Sequence, residues 1–257
     1  MVSLSEDLKL ALDRAEFARM LGLIPDPWQC DLLRSSADRI LINASRQSGK
    51  STISAVAALH RALYYPGSLI LCLAPALRQS QELFAKIAAF YRDSGRPVLP
   101  QAERKLSLEL ENGSRIITLP GSERTVRGFS GVDLLLLDEA ARVDDDLFYA
   151  TRPMLAVSGG AMMMLSTPYG KRGVFYYEWT QRERWQRFQI TADQVPRISA
   201  QFLEEERRTL GSRWFEQEYM CVFGELEGAV FSHDTIERMF DTPYELLWDP
   251  QEAEMVE

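Results

Sequence analysis

Residues 40–52 read Ile-Leu-Ile-Asn-Ala-Ser-Arg-Gln-Ser-Gly-Lys-Ser-Thr, and apolar positions then recur at helical spacing at Ile53, Val56, Ala57, His60 and Leu63. A strand that runs through a Gly-Lys-Ser turn into a helix restricts the fold sharply. The helix must pack back on the sheet and lead to a parallel neighbour by a right-handed crossover. A second feature narrows it further, since Val132 to Leu137 is apolar but for Asp133, carries four consecutive leucines, and ends on Asp138-Glu139. An apolar run ending in two acids is the pattern of a strand buried on both faces that delivers carboxylates to its C-terminal edge, where doubly wound sheets bind ligands. The two motifs converge on one site, and a nucleoside triphosphate is the ligand they predict.

Composition sets the outer limits. At 257 residues and 46% hydrophobic content the chain can build one large domain, or a domain with a small appendage. Lys plus Arg number 29 against 37 Asp plus Glu, and a net charge of -8 opposes indiscriminate adhesion to nucleic acid or anionic membrane. Any DNA contact must therefore be local and salt-sensitive. Cys30, Cys72 and Cys221 lack metal-ligand spacing and only His60 and His233 could join them, so reduced thiols are expected and a zinc site is not. The N-terminus lacks a basic start and an apolar core, and no apolar stretch approaches about 18 residues, so a soluble intracellular protein is expected.

Along the chain, residues 5–20 carry apolar positions at helical spacing (Leu8, Leu12, Ala15, Met20), with Pro25 and Pro27 ending that helix. A short helix around Gln29 to Arg34 leads into the strand Ile40 to Asn43. Ser68 to Ala74 reads as a second buried strand, followed by a helix with its apolar face at Leu77, Leu83, Phe84, Ile87 and Phe90. Leu106, Leu108 and Leu110 alternate, Asn112-Gly113 supplies a left-handed turn, and Ile116, Ile117 and Leu119 run back as a β-hairpin. After the acid strand, Asp144 to Leu155 reads as helix, Ala161 to Leu165 as strand, Trp185 to Thr191 as an edge strand, and Ser199 to Leu210 and Ser212 to Cys221 as two helices. The order predicts an α/β fold with a mainly parallel central sheet flanked by helices.

Backbone amides at a helix N-terminus converge on an anion, and the helix dipole adds partial positive charge. Ser45, Gln47, Ser48, Gly49, Lys50, Ser51 and Thr52 are accordingly the expected nucleotide-binding residues. Gly49 lets the backbone approach closely, Lys50 sits between the β- and γ-phosphates, and the Ser51 hydroxyl ligates Mg²⁺. Ala44 stands where such loops usually have a first glycine, which alanine can replace if its φ is negative. Asp138 is the expected second magnesium ligand and Glu139 the general base for the attacking water. Ser166, Thr167 and Pro168 end the neighbouring strand, where a hydroxyl can sense the γ-phosphate. Gln29 could hydrogen-bond the adenine edge. Each also has a plainer reading: Lys50 as a surface lysine, Arg46 as a solvated loop cation, Asp138-Glu139 as a helix start, Ser166 to Pro168 as a turn, Gln29 as an exposed helix-start residue.

Taken jointly, Ser45 to Ser51 with Arg46, the Leu134 to Ala140 strand with Asp138 and Glu139, Ser166-Thr167-Pro168-Tyr169-Gly170, and Trp214 to Tyr219 resemble the large terminase subunits that package DNA into tailed-phage capsids. The resemblance spans residues 20–230. It implies a RecA-like P-loop ATPase core of the ASCE type over 1–191, a small helical lid over 192–224, and a linker or tail over 225–257. It implies that Arg46 reaches the γ-phosphate within its own subunit and that Thr167 couples nucleotide state to motion. Val126-Arg127-Gly128 is similar to the segment carrying an arginine finger for a neighbouring subunit, with Arg124 as the rival. ATP and Mg²⁺ are the implied cofactors. The implied partners are double-stranded DNA, bound weakly and salt-dependently, a portal ring, a small terminase subunit, and further copies in a ring during packaging, the isolated chain being a monomer. The implied location is the cytoplasm of the infected host, with no membrane contact.

Full-length members of that family add a C-terminal nuclease domain with clustered acids. After Phe231 this sequence offers Asp234, Glu237, Asp241, Glu245 and a short acidic tail, so the expectation is a motor domain with the start of a linker and no nuclease activity. Two other functions compete. A helicase-type translocase shares the loop, the acid pair and the Ser-Thr motif, but the stretch after Thr191 is too short for the second α/β domain it needs. A non-catalytic ATP-gated assembly module would have no use for Glu139.

Overall fold

The computed structural model describes residues 3–121, 126, 128–181, 184–225, 235, 238 and 239. The chain divides into two compact units, 1–224 and 225–257. Of the second only a few residues are described, and the fold lies in the first.

Three short helices open the chain: α1 (Leu4–Leu12), α2 (Arg14–Met20) and α3 (Pro27–Arg34). The single helix expected over 5–20 is thus two. Asp13 breaks it, because its carboxylate accepts hydrogen bonds from the backbone of Ala15 at 2.8 Å and Glu16 at 3.4 Å and so caps the second helix. Leu8 and Leu12 are exposed, and the buried face belongs to Ala15, Phe17 and Ala18. Pro27 begins α3 rather than ending what precedes it, occupying the first turn, where no backbone donor is required.

The remaining elements are β1 (Arg39–Ala44), α4 (Lys50–Tyr64), β2 (Leu69–Ala74), α5 (Leu77–Asp93), β3 (Pro100–Arg104), β4 (Ser107–Leu110), β5 (Arg115–Pro120), β6 (Leu134–Asp138), α6 (Asp145–Thr151), β7 (Ala161–Ser166), α7 (Gly173–Thr180), β8 (Gln186–Ile190) and α8 (Ala200–Glu218). The hairpin forms as β4–β5 with Gly113 at φ 82° in its turn, but Leu106 lies in the turn before β4 and β3 adds an unforeseen edge strand. The helix expected over 144–155 stops at Thr151, since Pro153 cannot donate, and continues as a 3₁₀ turn over Arg152–Leu155. Gly211, at φ 76° and ψ 160°, is non-helical and divides α8 into two helical stretches, as the sequence predicts, the second ending at Glu218 rather than Cys221.

All eight strands form one sheet in the order β3-β4-β5-β2-β6-β7-β1-β8, parallel from β5 to β8. Both faces are covered, which explains the unbroken apolar runs. Ile40, Ile42, Ile70, Cys72, Leu134 and Leu136 face α4 and α5. The alternate residues Leu41, Leu71, Leu73, Leu135 and Leu137 face Leu147, Phe148, Val174 and Phe175 on the other side. Among the described residues no helix is long and apolar enough to cross a membrane.

One topological detail positions the site. Strand β7 lies between β1, which leads into the loop, and β6, which carries the acids; Asn43 pairs with Ser166, and Asp138 with Leu165. The C-terminal ends of β6, β7 and β1 therefore meet at one edge of the sheet.

Candidate nucleotide site

Between β1 and α4 the backbone turns through left-handed conformations at Gln47 (φ 59°) and Gly49 (φ 92°). Gly49 is required for a second reason, since a Cβ there would lie 2.8 Å from the Gln29 amide nitrogen. Ala44 is the last residue of β1 and is not among the positive-φ residues, so alanine serves where a glycine was expected. The Ser48 hydroxyl closes the loop on the Ser45 carbonyl at 2.8 Å.

Lys50 is buried, and its Nζ donates to the carbonyls of Ala44 at 2.7 Å and Ser45 at 2.9 Å. Burial pushes its pKa down, opposed by the nearby carboxylates of Glu139 and Asp138. Ser51 Oγ donates to Asp138 Oδ2 at 3.1 Å. Burial, and secondly the charge of Glu139, push the Asp138 carboxyl up to about 6, with the Ser51 bond and Lys50 acting the other way. A hydroxyl and a buried carboxylate in contact form a hard-oxygen pair that fits Mg²⁺, which keeps most of its remaining positions for water and phosphate. A divalent cation there would also offset the cost of ionising Asp138.

Glu139 follows in a left-handed conformation (φ 52°, ψ 42°), sparsely populated for a residue with a side chain. This turn ends β6 and aims the carboxylate into the same cleft as Lys50. The cleft holds about 540 Å³ and is lined by Arg46, Lys50, Lys86, Arg142 and Arg197 around Glu139. Its excess of cations suits a polyphosphate.

Ser166 and Thr167 are fully buried and Pro168 is buried. The Ser166 hydroxyl donates to the Thr167 carbonyl at 2.7 Å, and Thr167 Oγ1 accepts from Arg142 Nη1 at 3.2 Å. Thr52 lies in the first turn of α4 and lines the cleft with Gln47 and Ser48. Arg46 points to the end of α8, where its Nε bonds the Glu218 carboxylate and its backbone N–H donates to the Glu218 carbonyl at 3.2 Å. Gln29 is buried rather than exposed; its Oε1 accepts from the Asp26 backbone at 2.9 Å and its Nε2 donates to the Ser48 carbonyl at 3.2 Å, so it braces the loop. Arg124 and Arg127 lie outside the described residues.

The structure adds three residues to those read from sequence. Arg197 makes a two-bond pair with Asp26, at 2.9 and 2.8 Å, and donates to the Ser48 carbonyl at 3.2 Å. Glu218 lies within a sequence segment already singled out, though without a role, and Arg142 sits three residues past Glu139.

Fold and site together define a RecA-like α/β domain with a phosphate loop, in which one strand separates the loop strand from the acid strand. Residues 41–238 match the family described as "Terminase large subunit, T4likevirus-type, N-terminal", and the chain belongs to that family. It is 30% identical over 183 residues to the large terminase subunit of Thermus phage G20c, a match covering 63% of this chain and 37% of that protein. Among solved structures, it is similar to a mutant form of the Thermus phage P74-26 large terminase ATPase domain, with a TM-score of 0.72 and 23% identity over 81% of this chain and 98% of that one. It is similar also to the large terminase of the thermophilic bacteriophage D6E in complex with ADP, with a TM-score of 0.64 and 14% identity over 81% of this chain and 53% of that one. The chain thus spans less than half the length of the Thermus phage G20c relative.

Proposed function

We propose that the chain is the motor domain of a large terminase subunit, hydrolysing ATP to translocate double-stranded DNA into a procapsid in the cytoplasm of an infected host. The observation that carries this reading is the 3.1 Å contact of Ser51 with Asp138, beside Glu139 and across one cleft from Lys50. Family membership and the ADP complex of the D6E protein support it.

Lys50 exchanges the Ala44 and Ser45 carbonyls for phosphate oxygens, and the amides from Gln47 to Ser51 cradle the polyphosphate, those of Ser45, Arg46 and Thr52 being bonded to the Ile190, Glu218 and Gly49 carbonyls. Ser51 and Asp138 hold Mg²⁺, which when bound offsets phosphate charge. Glu139 orients the attacking water and accepts its proton as oxygen attacks the γ-phosphorus and ADP leaves. Arg46 moves from Glu218 to the γ-phosphate, and Arg127 reaches the site of a neighbouring subunit. Ser166, Thr167 and Pro168 pass the change to β7. Gln29 keeps one amide hydrogen for the adenine edge while holding Ser48 with the other.

The proposed partners are duplex DNA, a portal ring, a small terminase subunit and other copies of the chain. For DNA the acidic surface sets the form of binding. Arg104 is already paired with Glu109, and Arg172 lies 4.8 Å over the Tyr169 ring, so Arg104-Lys105 and Lys171-Arg172 offer a few phosphate contacts at most. With two or three contacts, duplex affinity should fall about ten- to fortyfold between 50 and 200 mM salt. Fluorescence polarisation across that series measures it, and tight sequence-specific binding indifferent to salt would contradict a translocating motor.

A further inference from the structure

Arg142 has no part in the reaction as set out, yet it joins more of the site than any side chain named above. It ends the single 3₁₀ turn Ala140–Arg142 that follows the acid pair. Its Nη1 donates to Glu139 Oε2 at 3.0 Å and to Thr167 Oγ1 at 3.2 Å, and its Nη2 lies 3.7 Å from Glu218 Oε1. The guanidinium carbon stands 4.8 Å from the centre of the Tyr169 ring. Glu218 in turn holds Arg46. A single planar group thus spans the turn after β6, the end of β7 and the last turn of α8.

We propose that Arg142 is a positioning residue for hydrolysis: it fixes the Glu139 carboxylate toward the water site, and Thr167 and Glu218 fix Arg142. The inference rests on Glu139 being the base. Among the described residues, the Glu139 carboxylate accepts a hydrogen bond from Arg142 alone. A glutamate has three side-chain torsions, so without that bond the carboxylate spreads over several directions and the fraction aimed at water falls. The bond is charge-assisted, and the rigid fork of a guanidinium reaches partners in different directions at once, which an ammonium on a flexible stem does not. The Tyr169 ring, 4.8 Å from the guanidinium carbon, adds a cation–π contact.

The test is a cycle of turnover and ATP affinity on the 257-residue chain with Arg142→Ala, Glu139→Gln and both together. Arg142→Ala should turn over about 10- to 100-fold more slowly at saturating ATP, with affinity changed less than about threefold, because a positioning group acts on the transition state and not on nucleotide binding. In the Glu139→Gln background the same substitution should change the residual rate less than about twofold, since independent effects multiply and effects through one group do not. Arg142→Lys should recover part of the loss, and it carries the test if the alanine variant fails to fold. Turnover of Arg142→Ala or Arg142→Lys equal to wild type overturns the proposal. So does an equal fold-loss in both backgrounds, or a loss of ATP affinity that matches the loss of rate. Wild-type turnover by Glu139→Gln, where Arg142 is intact, is a separate result that removes the base assignment itself.

Discussion

Lys50→Ala is expected to weaken ATP binding by at least about 100-fold, close to 3 kcal/mol. Two or three charge-assisted bonds to phosphate oxygens, each worth about 1.5–3 kcal/mol, disappear with the ammonium. The buried setting of Lys50 makes the loss larger than a surface lysine would show. Its charge is already stripped of most water, and the Ala44 and Ser45 carbonyls and the nearby acids compensate only in part. Calorimetric titration with ATP and Mg²⁺ reads the effect, and Lys50→Met, which keeps the aliphatic stem, separates charge from packing. Affinity within threefold of wild type for both variants would place the phosphates elsewhere.

Arg127→Ala is expected to bind ATP normally and to hydrolyse it about 10³ to 10⁵ times more slowly, the range found where an arginine supplied to a phosphoryl-transfer site is removed. The assignment rests on its place in Arg124-Thr125-Val126-Arg127-Gly128, shortly before β6. Mixing separates a finger acting between subunits from one acting within its own. Lys50→Ala subunits, expected to bind ATP too weakly to turn it over, keep Arg127, so adding them to Arg127→Ala subunits should restore turnover. No restoration where rings demonstrably form assigns Arg127 to its own subunit or to none. Near-normal turnover by Arg127→Ala alone reduces it to a surface arginine, whose ion pairs contribute little.

The parts of this fold that were legible in the sequence are those fixed by burial on both faces. Strands β1, β2, β6 and β7 are built on the apolar runs 40–42, 69–74, 134–137 and 161–165 because alternate residues face opposite layers of helix, and their positions fix the edge where Ala44, Asp138 and Ser166 converge. Strand β3 was not legible, since most of its side chains are exposed and leave no apolar alternation. The break at Asp13 was missed for a related reason. Leu8 and Leu12 keep helical spacing although they are exposed, and that spacing does not distinguish an aspartate on a helix face from one that caps the next helix.

At the site, residues that act through backbone geometry were readable from local pattern. Those that act by reaching across the fold were not. Nothing local marks Arg142 as more than a surface arginine, and the partners of Arg46, Gln29 and Arg197 come from segments distant in sequence. Gln29 shows both sides of this. Its position after Pro27 and Trp28 marked it as part of the site, but only the structure reveals that it braces Ser48 and fills the space a Cβ at Gly49 would need.

We propose that the acid pair ending β6 divides its labour, Asp138 holding the cation with Ser51 and Glu139 acting on water. Phosphate release by wild type and Glu139→Gln, measured beside ATP affinity, is the test of that division. Glutamine keeps the shape of the side chain but cannot accept the proton. The variant should therefore bind ATP within about threefold of wild type and release phosphate about 10² to 10⁴ times more slowly. Equal phosphate release by the two proteins, or a loss of affinity as large as the loss of rate, would contradict it.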